Sequence, residues 1–249
     1  MADGTLLVQG LCKRFGAIVA TDALDLELKA TEIHALIGPN GAGKTTVLAQ
    51  LAGDLRPDSG KIFFKGRDVT RLPGHKRALL GLGRSFQISS LFEGFSVEDN
   101  VALALQAHQG HSFRFWGSAR RDPRLRLQAR AQLQLFGLAP QADASVSTLS
   151  HGERRQLEVA MALAGSPSCL LLDEPMAGLG PGGTRRMTET LRSLKGRLSI
   201  LLIEHDMDVV FSLADQVSVL VYGRCVATGT PAEIRANEDV RRAYLGESD

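Results

Sequence analysis

The chain has 249 residues, of which 22% are charged and 44% hydrophobic, and its formal net charge is +2. This length suits one large domain, or one domain with a subdomain, and the composition excludes a disordered chain. A net charge this small does not indicate a nucleic-acid-binding protein, so we expect no nucleic-acid partner.

The amino-terminal part is predicted to form short strands separated by turns. Apolar residues alternate or run continuously, as they do in strands, over residues 5–16, 25–30 and 32–38. A glycine-rich loop and a helical pattern that ends at Gly53 follow. Residues 54–66 are predicted to form a turn that leads into a further strand.

The middle of the chain, from about Leu91 to Ala164, has a different pattern. Short β-forming runs give way to helix-forming segments at residues 96–108 and 125–139. Six arginines lie among aromatic residues between Phe113 and Arg130. This charge run favours a solvated helical face plus a loop, and the alternative is a contact with a partner or with lipid headgroups.

The last part returns to strands that alternate with helices. Buried strands are predicted at residues 168–174 and 198–206, and a hairpin at residues 217–229. A closing helix is predicted over residues 230–246, with Thr230 as its N-cap and Pro231 in its first turn. Strand–helix alternation at both ends predicts an α/β core, and the helical middle predicts an inserted subdomain.

Disulfides, zinc and membrane spans are not expected. Cys12, Cys169 and Cys225 form no Cys-x-x-Cys pair, so we expect them to be small core residues in a reducing compartment. The amino terminus does not have the pattern of a secretory signal. The longest apolar runs have only a few residues, whereas a membrane-spanning helix needs about 20. We therefore expect a chain that crosses no membrane by itself.

A phosphate-binding loop follows the third predicted strand. The pattern is G-x-x-x-x-G-K-[ST], with a strand before it and a helix after it; its residues are Gly38, Pro39, Asn40, Gly41, Ala42, Gly43, Lys44 and Thr45. The glycines let backbone N–H groups converge on phosphate oxygens, and the helix N-terminus adds a positive dipole end. Lys44 is expected to contact the β- and γ-phosphates, and the Thr45 hydroxyl to bind Mg²⁺.

Two neighbouring carboxylates follow the buried strand "CLLL". Asp173 at the strand end is expected to hold Mg²⁺. Glu174 is expected to orient and deprotonate an attacking water. Two ionised carboxylates side by side are costly unless a cation is near, which supports this interpretation over a strand that simply ends in surface acids.

The glycines that follow these carboxylates are expected to be a false lead. Residues 178–183 satisfy G-x-G-x-x-G between a strand and a helix. A dinucleotide-binding fold would use this motif after its first strand, with an acidic residue about 20 positions later. Here the motif follows the last metal carboxylate and leads into "TRRMTETLRSLKG", so we do not predict dinucleotide binding.

Three single residues become interpretable beside a phosphate site. Gln87 is expected to contact both Mg²⁺ and the attacking water, and His205, after a buried strand, to donate a hydrogen bond to the γ-phosphate. Phe15 is expected to stack on an adenine ring. Taken alone, each of these would be an ordinary loop, strand-end or core residue.

The stretch "LSHGERRQ" predicts a helix start with a capping box, formed by Ser150 and Glu153. A capped helix start that contains a glycine is also an anion site. Every group needed around the phosphate loop is already supplied elsewhere in the chain. We therefore expect this turn to serve the nucleotide of a second copy.

Together, these motifs resemble the ATP-binding subunits of ABC transporters, in order and over nearly the whole chain. The resemblance covers the Walker A loop, the Q-loop Gln87, the signature Leu149–Glu153, the Walker B pair, the D-loop "AGLG" and the switch His205. The family signature is usually Leu-Ser-Gly-Gly-Gln, and here His151 and Glu153 depart from it. The D-loop has Gly180 where the family often has Asp or Asn.

The resemblance implies a P-loop NTPase (RecA-like) α/β core with an amino-terminal antiparallel β subdomain and an inserted helical subdomain. The whole chain, 1–249, is then one ATPase domain, with the core in about 1–90 and 165–249 and the helical subdomain in about 91–164. It implies that ATP and Mg²⁺ are bound, that Thr46 joins the ATP contacts, and that Ser150 and Gly152 bind the γ-phosphate of a facing second subunit.

The resemblance also implies partners and a location. These are transmembrane permease subunits, a second ATPase subunit that is identical or a paralogue, and, indirectly, a periplasmic solute-binding protein. The chain is then cytoplasmic and peripheral on the inner face of the plasma membrane. The segments "GLGRSFQISSLFEGFSVEDNV" and "LLIEHDMDVVF" and the ending "GTPAEIRANEDVRRAYLGE" are similar to ATPases of branched-chain amino-acid, amide and urea importers.

Other functions stay open at this stage. The ending "YLGE" is also similar to lipopolysaccharide-export ATPases. A soluble ABC ATPase that remodels DNA or ribosomes usually has a coiled-coil insertion or two cassettes, and this chain has neither. A GTPase or small-molecule kinase is disfavoured by the signature turn and Glu174, and a scaffold with a dead site is disfavoured because Lys44 and Glu174 are both intact.

Overall fold

The computed structural model describes residues 4–85, 91–108 and 122–240. Within these ranges the chain forms ten strands: β1 (Gly4–Phe15), β2 (Ile18–Lys29), β3 (Ile33–Ile37), β4 (Ser59–Phe64), β5 (Arg67–Asp68), β6 (Leu82–Arg84), β7 (Cys169–Asp173), β8 (Ser199–Ile203), β9 (Gln216–Val221) and β10 (Arg224–Gly229). The same ranges contain nine α-helices: α1 (Lys44–Ala52), α2 (Gly74–Leu79), α3 (Val97–His108), α4 (Pro123–Leu135), α5 (His151–Ala164), α6 (Pro181–Leu194), α7 (Met207–Leu213), α8 (Pro231–Ala236) and α9 (Glu238–Val240).

Four strands form an antiparallel sheet in the order β2-β1-β4-β5. In β2, buried Leu24, Leu26 and Leu28 alternate with exposed residues, as expected for a strand with one face on a core and one face in water. The strand predicted at residues 25–30 is therefore longer at its amino end. The expected antiparallel sheet is confirmed.

Six strands form the second sheet, in the order β10-β9-β3-β8-β7-β6. All neighbours in it are parallel except the terminal hairpin of β9 and β10. Every residue of β3, β7 and β8 is buried, because helices pack on one face of the sheet and α1 with the antiparallel sheet packs on the other. The carboxyl ends of these three neighbouring strands share one edge, where the predicted phosphate loop, carboxylates and histidine follow.

The helical middle packs on the parallel sheet through one apolar core. Buried Val101 of α3, Ala129 of α4 and Leu157 of α5 belong to the same cluster as Leu170 and Ile200 of the sheet. The expected fold class, an α/β core with an antiparallel sheet and a helical part, is confirmed. No helix within the described ranges has both the length and the apolar character needed to cross a bilayer.

Two arginines of α4 pair with acidic residues of neighbouring segments. Arg126 lies 3.2 Å from a carboxylate oxygen of Glu98 and 2.6 Å from one of Asp99. Arg130 lies 2.8 Å from Glu98 and 3.1 Å from Asp143. Arg130 stays largely solvated, with 55% of its side chain exposed, whereas Arg126, at 27%, is partly shielded because α3 places its acidic first turn against α4. Residues 109–121 of the arginine-rich segment lie outside the described residues.

Helix α2, which the sequence patterns did not predict, braces the helix after the phosphate loop. Arg77 is 1% exposed and donates to the carbonyl oxygens of Gln50 and Leu51, at 2.8 and 2.6 Å, and to that of Leu72. Burial lowers its pKa to about 10. The guanidinium therefore supplies hydrogen bonds to carbonyls of the last turn of α1, which have few or no donors within the helix.

The structure corrects two smaller expectations. Thr230 caps α8 in a capping box as predicted, but the closing helix is interrupted at Asn237, whose backbone is extended, and residues 241–249 lie outside the described residues. All three cysteines are free, yet only Cys169 is fully buried, and burial raises its pKa to about 12. Cys12 and Cys225 are partly exposed, so they are not core residues.

We predict that Glu98→Gln lowers the free energy of unfolding by about 1–3 kcal/mol, because Arg126 and Arg130 lose a buried countercharge. Thermal unfolding followed by circular dichroism measures the change. The control is Lys195→Gln, which removes an ion pair to Asp215 whose side chains are 41% and 36% exposed and is expected to cost at most about 1 kcal/mol. Equal losses in the two variants would contradict a structural role for Glu98.

Candidate ATP-binding and hydrolysis site

The predicted phosphate loop connects β3 to α1, and its backbone requires glycine at two positions. Gly38 and Gly43 have φ of 153° and 104°. A side-chain carbon at Gly38 would overlap the carbonyl oxygen of Leu220, and one at Gly43 would overlap that of Ala20. The loop is thus wedged between β9 and β2, and its shape is fixed by backbone contacts.

Lys44 folds back across this loop. Its Nζ atom donates to the carbonyl oxygens of Gly38, at 2.6 Å, and Pro39, at 3.0 Å. Burial lowers its pKa, and the charges of Glu174 and Asp173 oppose that shift. The ammonium therefore lies inside the loop near both predicted carboxylates.

Asp173 ends the buried strand β7 and is 2% exposed. Burial raises the pKa of its carboxyl, and the charge of Glu174 raises it further. The positive charges of Arg155 and Arg84 and a hydrogen bond from Thr45 act in the opposite direction. The structure thus brings Thr45 of the loop to the carboxylate with which it is expected to share a metal ion.

The surroundings of Asp173 fit a cation. Its Oδ2 atom is buried and has no hydrogen-bond partner among the described residues, and such an atom is costly unless something binds it. Within the same ranges, no group of three or more His, Cys, Asp or Glu residues could hold a metal ion. A cation here would therefore depend on Thr45, Asp173 and ligands that the nucleotide or Gln87 supplies.

Glu174 lies in the turn that follows β7. Its φ of 47° is left-handed, which is uncommon for a residue with a side chain. Its N–H donates to the carbonyl oxygen of Ile203, at 2.9 Å, which ties the turn to the end of β8. Its carboxylate is 40% exposed and lies 3.8 Å from Nδ1 of His205. The predicted base and the predicted switch histidine are therefore neighbours.

A buried acid that no sequence motif indicated holds the backbone of His205 and of the turn that follows Glu174. Glu204 is 0% exposed, and its carboxylate accepts from the N–H groups of Met176, at 2.8 Å, and His205, at 3.2 Å. Burial raises its pKa. The only sequence signal is its place directly before His205 at the end of an apolar run.

The signature turn forms the expected capping box at the start of α5. The Ser150 hydroxyl accepts from the Glu153 N–H, at 3.3 Å, and the Glu153 carboxylate accepts from the N–H and hydroxyl of Ser150, at 2.8 and 2.7 Å. Gly152 faces Gly178 and Leu179 of the loop after β7. In the part of the chain that the structure describes, no hydrogen bond joins Ser150 to the phosphate loop.

Of the remaining predicted site residues, all but Gln87 lie within the described part of the chain. Phe15 is 49% exposed at the end of β1, next to the turn into β2, the strand that contacts the phosphate loop through Ala20. Gln87 lies outside the described residues. Asn40, Gly41, Ala42 and Thr46 belong to the loop and the first turn of α1.

The chain is similar to known families and proteins. The family model described as ABC transporter matches residues 21–177. A second model, for the branched-chain amino acid ATP-binding cassette transporter, matches residues 224–249. The chain is 41% identical to the high-affinity branched-chain amino acid transport ATP-binding protein LivG of Salmonella typhimurium, and the match covers 100% of both chains.

Solved structures agree in fold. A nucleotide-free ATP-binding cassette from an ABC transporter superposes with a TM-score of 0.85 at 24% identity, covering 98% of this chain and 100% of that one. A dimeric cassette in a post-hydrolysis state, bound to ADP and Pi, superposes with a TM-score of 0.79 at 22% identity, covering 91% of this chain and 98% of the other.

We predict that Asp173→Asn stabilises the nucleotide-free protein at neutral pH. Because the fold raises the pKa of this carboxyl, the protonated form favours folding, and that contribution is lost as the pH rises from the unfolded value of 3.8 through the folded one. The unfolding midpoint of the variant should exceed that of the parent by a margin that grows over this window and then levels off.

Thermal unfolding between pH 4 and pH 8, without nucleotide, measures the difference. The control is Glu27→Gln, which changes an exposed carboxylate and is expected to shift stability by no more than about 0.5 kcal/mol. If the difference in unfolding midpoint between Asp173→Asn and the parent shrinks as the pH rises, the ionised Asp173 carboxylate stabilises the nucleotide-free protein, contrary to the prediction.

Proposed function

The chain belongs to the ABC transporter family of ATP-binding subunits and is an ATPase, and we propose that it powers the import of branched-chain or closely related amino acids through separate membrane subunits. The substrate class is supported by the full-length similarity to LivG and by the match of residues 224–249 to the branched-chain cassette model. The observation that carries the proposed mechanism of ATP hydrolysis is the convergence of four side chains at one sheet edge, those of Lys44, Asp173, Glu174 and His205.

In the proposed ATP site, backbone N–H groups of Gly38–Thr45 and the start of α1 bind the phosphates. Lys44 would exchange its hydrogen bonds to the carbonyls of Gly38 and Pro39 for bonds to the β- and γ-phosphates. Phe15 would stack on the adenine ring, for which its exposed position at the strand end is suited. Asn40 and Thr46 would complete the contacts of the loop.

Mg²⁺ would be held by Thr45, Asp173 and Gln87, and it would neutralise charge that develops on the phosphates. The orphaned Oδ2 atom of Asp173 supports this assignment. Burial raises the pKa of this carboxyl, and the positive charges of Arg155 and Arg84 offset part of that rise at the edge of the sheet; a bound cation would favour the ionised form further.

Hydrolysis would use Glu174 and His205. As a water oxygen bonds to the γ-phosphorus and the bond to the ADP oxygen breaks, the Glu174 carboxylate accepts the proton of the water. His205, 3.8 Å from that carboxylate, would donate a hydrogen bond to the γ-phosphate. The buried Glu204 supports His205 and the turn after Glu174 by accepting from the N–H groups of His205 and Met176.

A second ATPase subunit, either identical or a paralogue, would complete the site. Ser150 and the N–H of Gly152 would bind the γ-phosphate held by the facing chain, since they lie at the start of α5 and make no hydrogen bond to their own loop within the described ranges. The dimeric cassette with ADP and Pi supports this arrangement. ATP then acts by binding the closed pair more tightly than the open one.

Permease subunits would dock in the groove that separates the sheet from the helical part. The groove has a volume of about 330 Å³, and six of its lining residues are Asp54, Leu82, Arg84, Leu91, Glu158 and Met161. This position, close to Gln87 in the sequence, supports transmission of nucleotide-driven closure to the membrane. The subunit would lie on the cytoplasmic face of the plasma membrane, and a periplasmic binding protein would deliver the solute.

We predict that Glu174→Gln retains ATP binding but loses turnover by at least about 100-fold, because the water loses its base. The variant should also form a stable dimer when ATP is present. Phosphate release measures turnover, and size-exclusion chromatography with and without ATP measures dimerisation. Glu189→Gln, at an exposed position of α6, is the control, and undiminished turnover in Glu174→Gln would rule out this residue as the base.

We predict that Glu153→Gln lowers the KM for ATP about two- to fivefold, equivalent to about 0.5–1 kcal/mol. Glutamine preserves the capping box but removes a negative charge from the turn that is proposed to meet a phosphate. Steady-state ATPase kinetics measures the change. Glu233→Gln, the same substitution in the capping box of α8, should leave KM unchanged, and a raised KM in Glu153→Gln would contradict the expectation.

A further inference from the structure

Arg155, in the second turn of the signature helix α5, contacts the backbone where β7 ends and the Glu174 turn begins. Its Nη2 atom donates to the backbone carbonyl oxygens of Asp173 and Glu174, the latter at 3.2 Å, and its Nε atom lies 3.3 Å from the same Glu174 oxygen. One planar guanidinium therefore bridges two successive carbonyls, which a lysine ammonium could not do in the same geometry.

The other end of the guanidinium is anchored by Glu158. Arg155 Nη1 lies 2.8 Å from Glu158 Oε2, and the two side chains are 13% and 9% exposed. A pair this well shielded from water is screened less than a surface pair and holds its geometry better. Glu158 is thus in a position to fix the direction in which Arg155 presents its remaining N–H groups.

The position of the Glu174 carboxylate depends on its backbone. In the described residues its side chain makes one ion-pair contact, to His205 at 3.8 Å, which is too long for a hydrogen bond. The backbone has a left-handed φ of 47°, a conformation that persists only where surrounding contacts hold it. Arg155 supplies such contacts directly at the Glu174 carbonyl.

We propose that Arg155, anchored by Glu158, is a positioning residue that holds the Glu174 turn in its hydrolytic geometry. This inference rests on the proposed role of Glu174 as the base. Arg155 touches neither nucleotide nor water in this role; it acts through the backbone of the turn. A displacement of about 1 Å at the base is enough to cost about 100-fold in rate, whereas ATP binding depends on the phosphate loop.

The test compares kcat and KM for ATP in the full chain. Arg155→Met should lower kcat about 10- to 100-fold and leave KM within about twofold. Arg155→Lys should recover part of kcat, because an ammonium still donates to one carbonyl. Glu158→Gln, which keeps an acceptor for Arg155, should retain most of the activity, whereas Glu158→Ala, which removes it, should reduce kcat with KM unchanged.

Two controls separate positioning from general destabilisation and from failure of the proposed mechanism. Arg126→Met removes another arginine paired with buried acids and should lower the unfolding midpoint without lowering kcat. An unchanged kcat in Arg155→Met and Glu158→Ala, or a loss matched by Arg126→Met at equal destabilisation, overturns the proposal. If Glu174→Gln turns over ATP normally, the proposed base is wrong; if only Glu174→Gln is inactive, Arg155 alone is misassigned.

Discussion

Two neighbouring carboxylates at the end of a buried strand impose the main constraint on this structure. Burial makes ionisation of the Asp173 carboxyl costly, and the neighbouring charge of Glu174 adds to that cost. Around them lie Lys44 and the guanidinium of Arg155, both hydrogen-bonded to backbone carbonyls. The fold thus concentrates charge where a nucleotide and a cation would balance it, at the carboxyl ends of the fully buried strands β3, β7 and β8.

The local parts of this design could be predicted from the sequence. The phosphate loop, the capping box at Ser150 and the apolar strands before Asp173 and His205 are signals within a few residues, because turns, caps and buried strands are specified by short-range chemistry. The need for glycine at Gly38 could be predicted, but its reason could not. That reason is the carbonyl oxygen of Leu220, which lies far away in the sequence and close in space.

The parts that the sequence did not predict all depend on distant partners. Arg126 pairs with acids 27 and 28 positions away, as the residue numbers of Asp99 and Glu98 show, and the burial of these acids follows from the packing of α3 on α4. Glu204 can accept a hydrogen bond from the turn after β7 only because β7 and β8 are neighbours. A charged residue in a polar stretch has no local signal that distinguishes a solvated side chain from a buried one with a partner.

Helix α5 joins the two proposed contributions of this chain to catalysis. Its capped start presents Ser150 and Gly152, proposed to contact the nucleotide of the facing subunit, and Arg155 follows about 5–8 Å further along the same helix. Because a capped and packed helix moves as a rigid body over such a distance, a shift of the signature turn also shifts the group that holds the Glu174 turn. Glu158, about two turns beyond Ser150, lines the groove on the same helix. If the proposed roles hold, a nucleotide bound across the dimer would act through this single helix on the base of the neighbouring site.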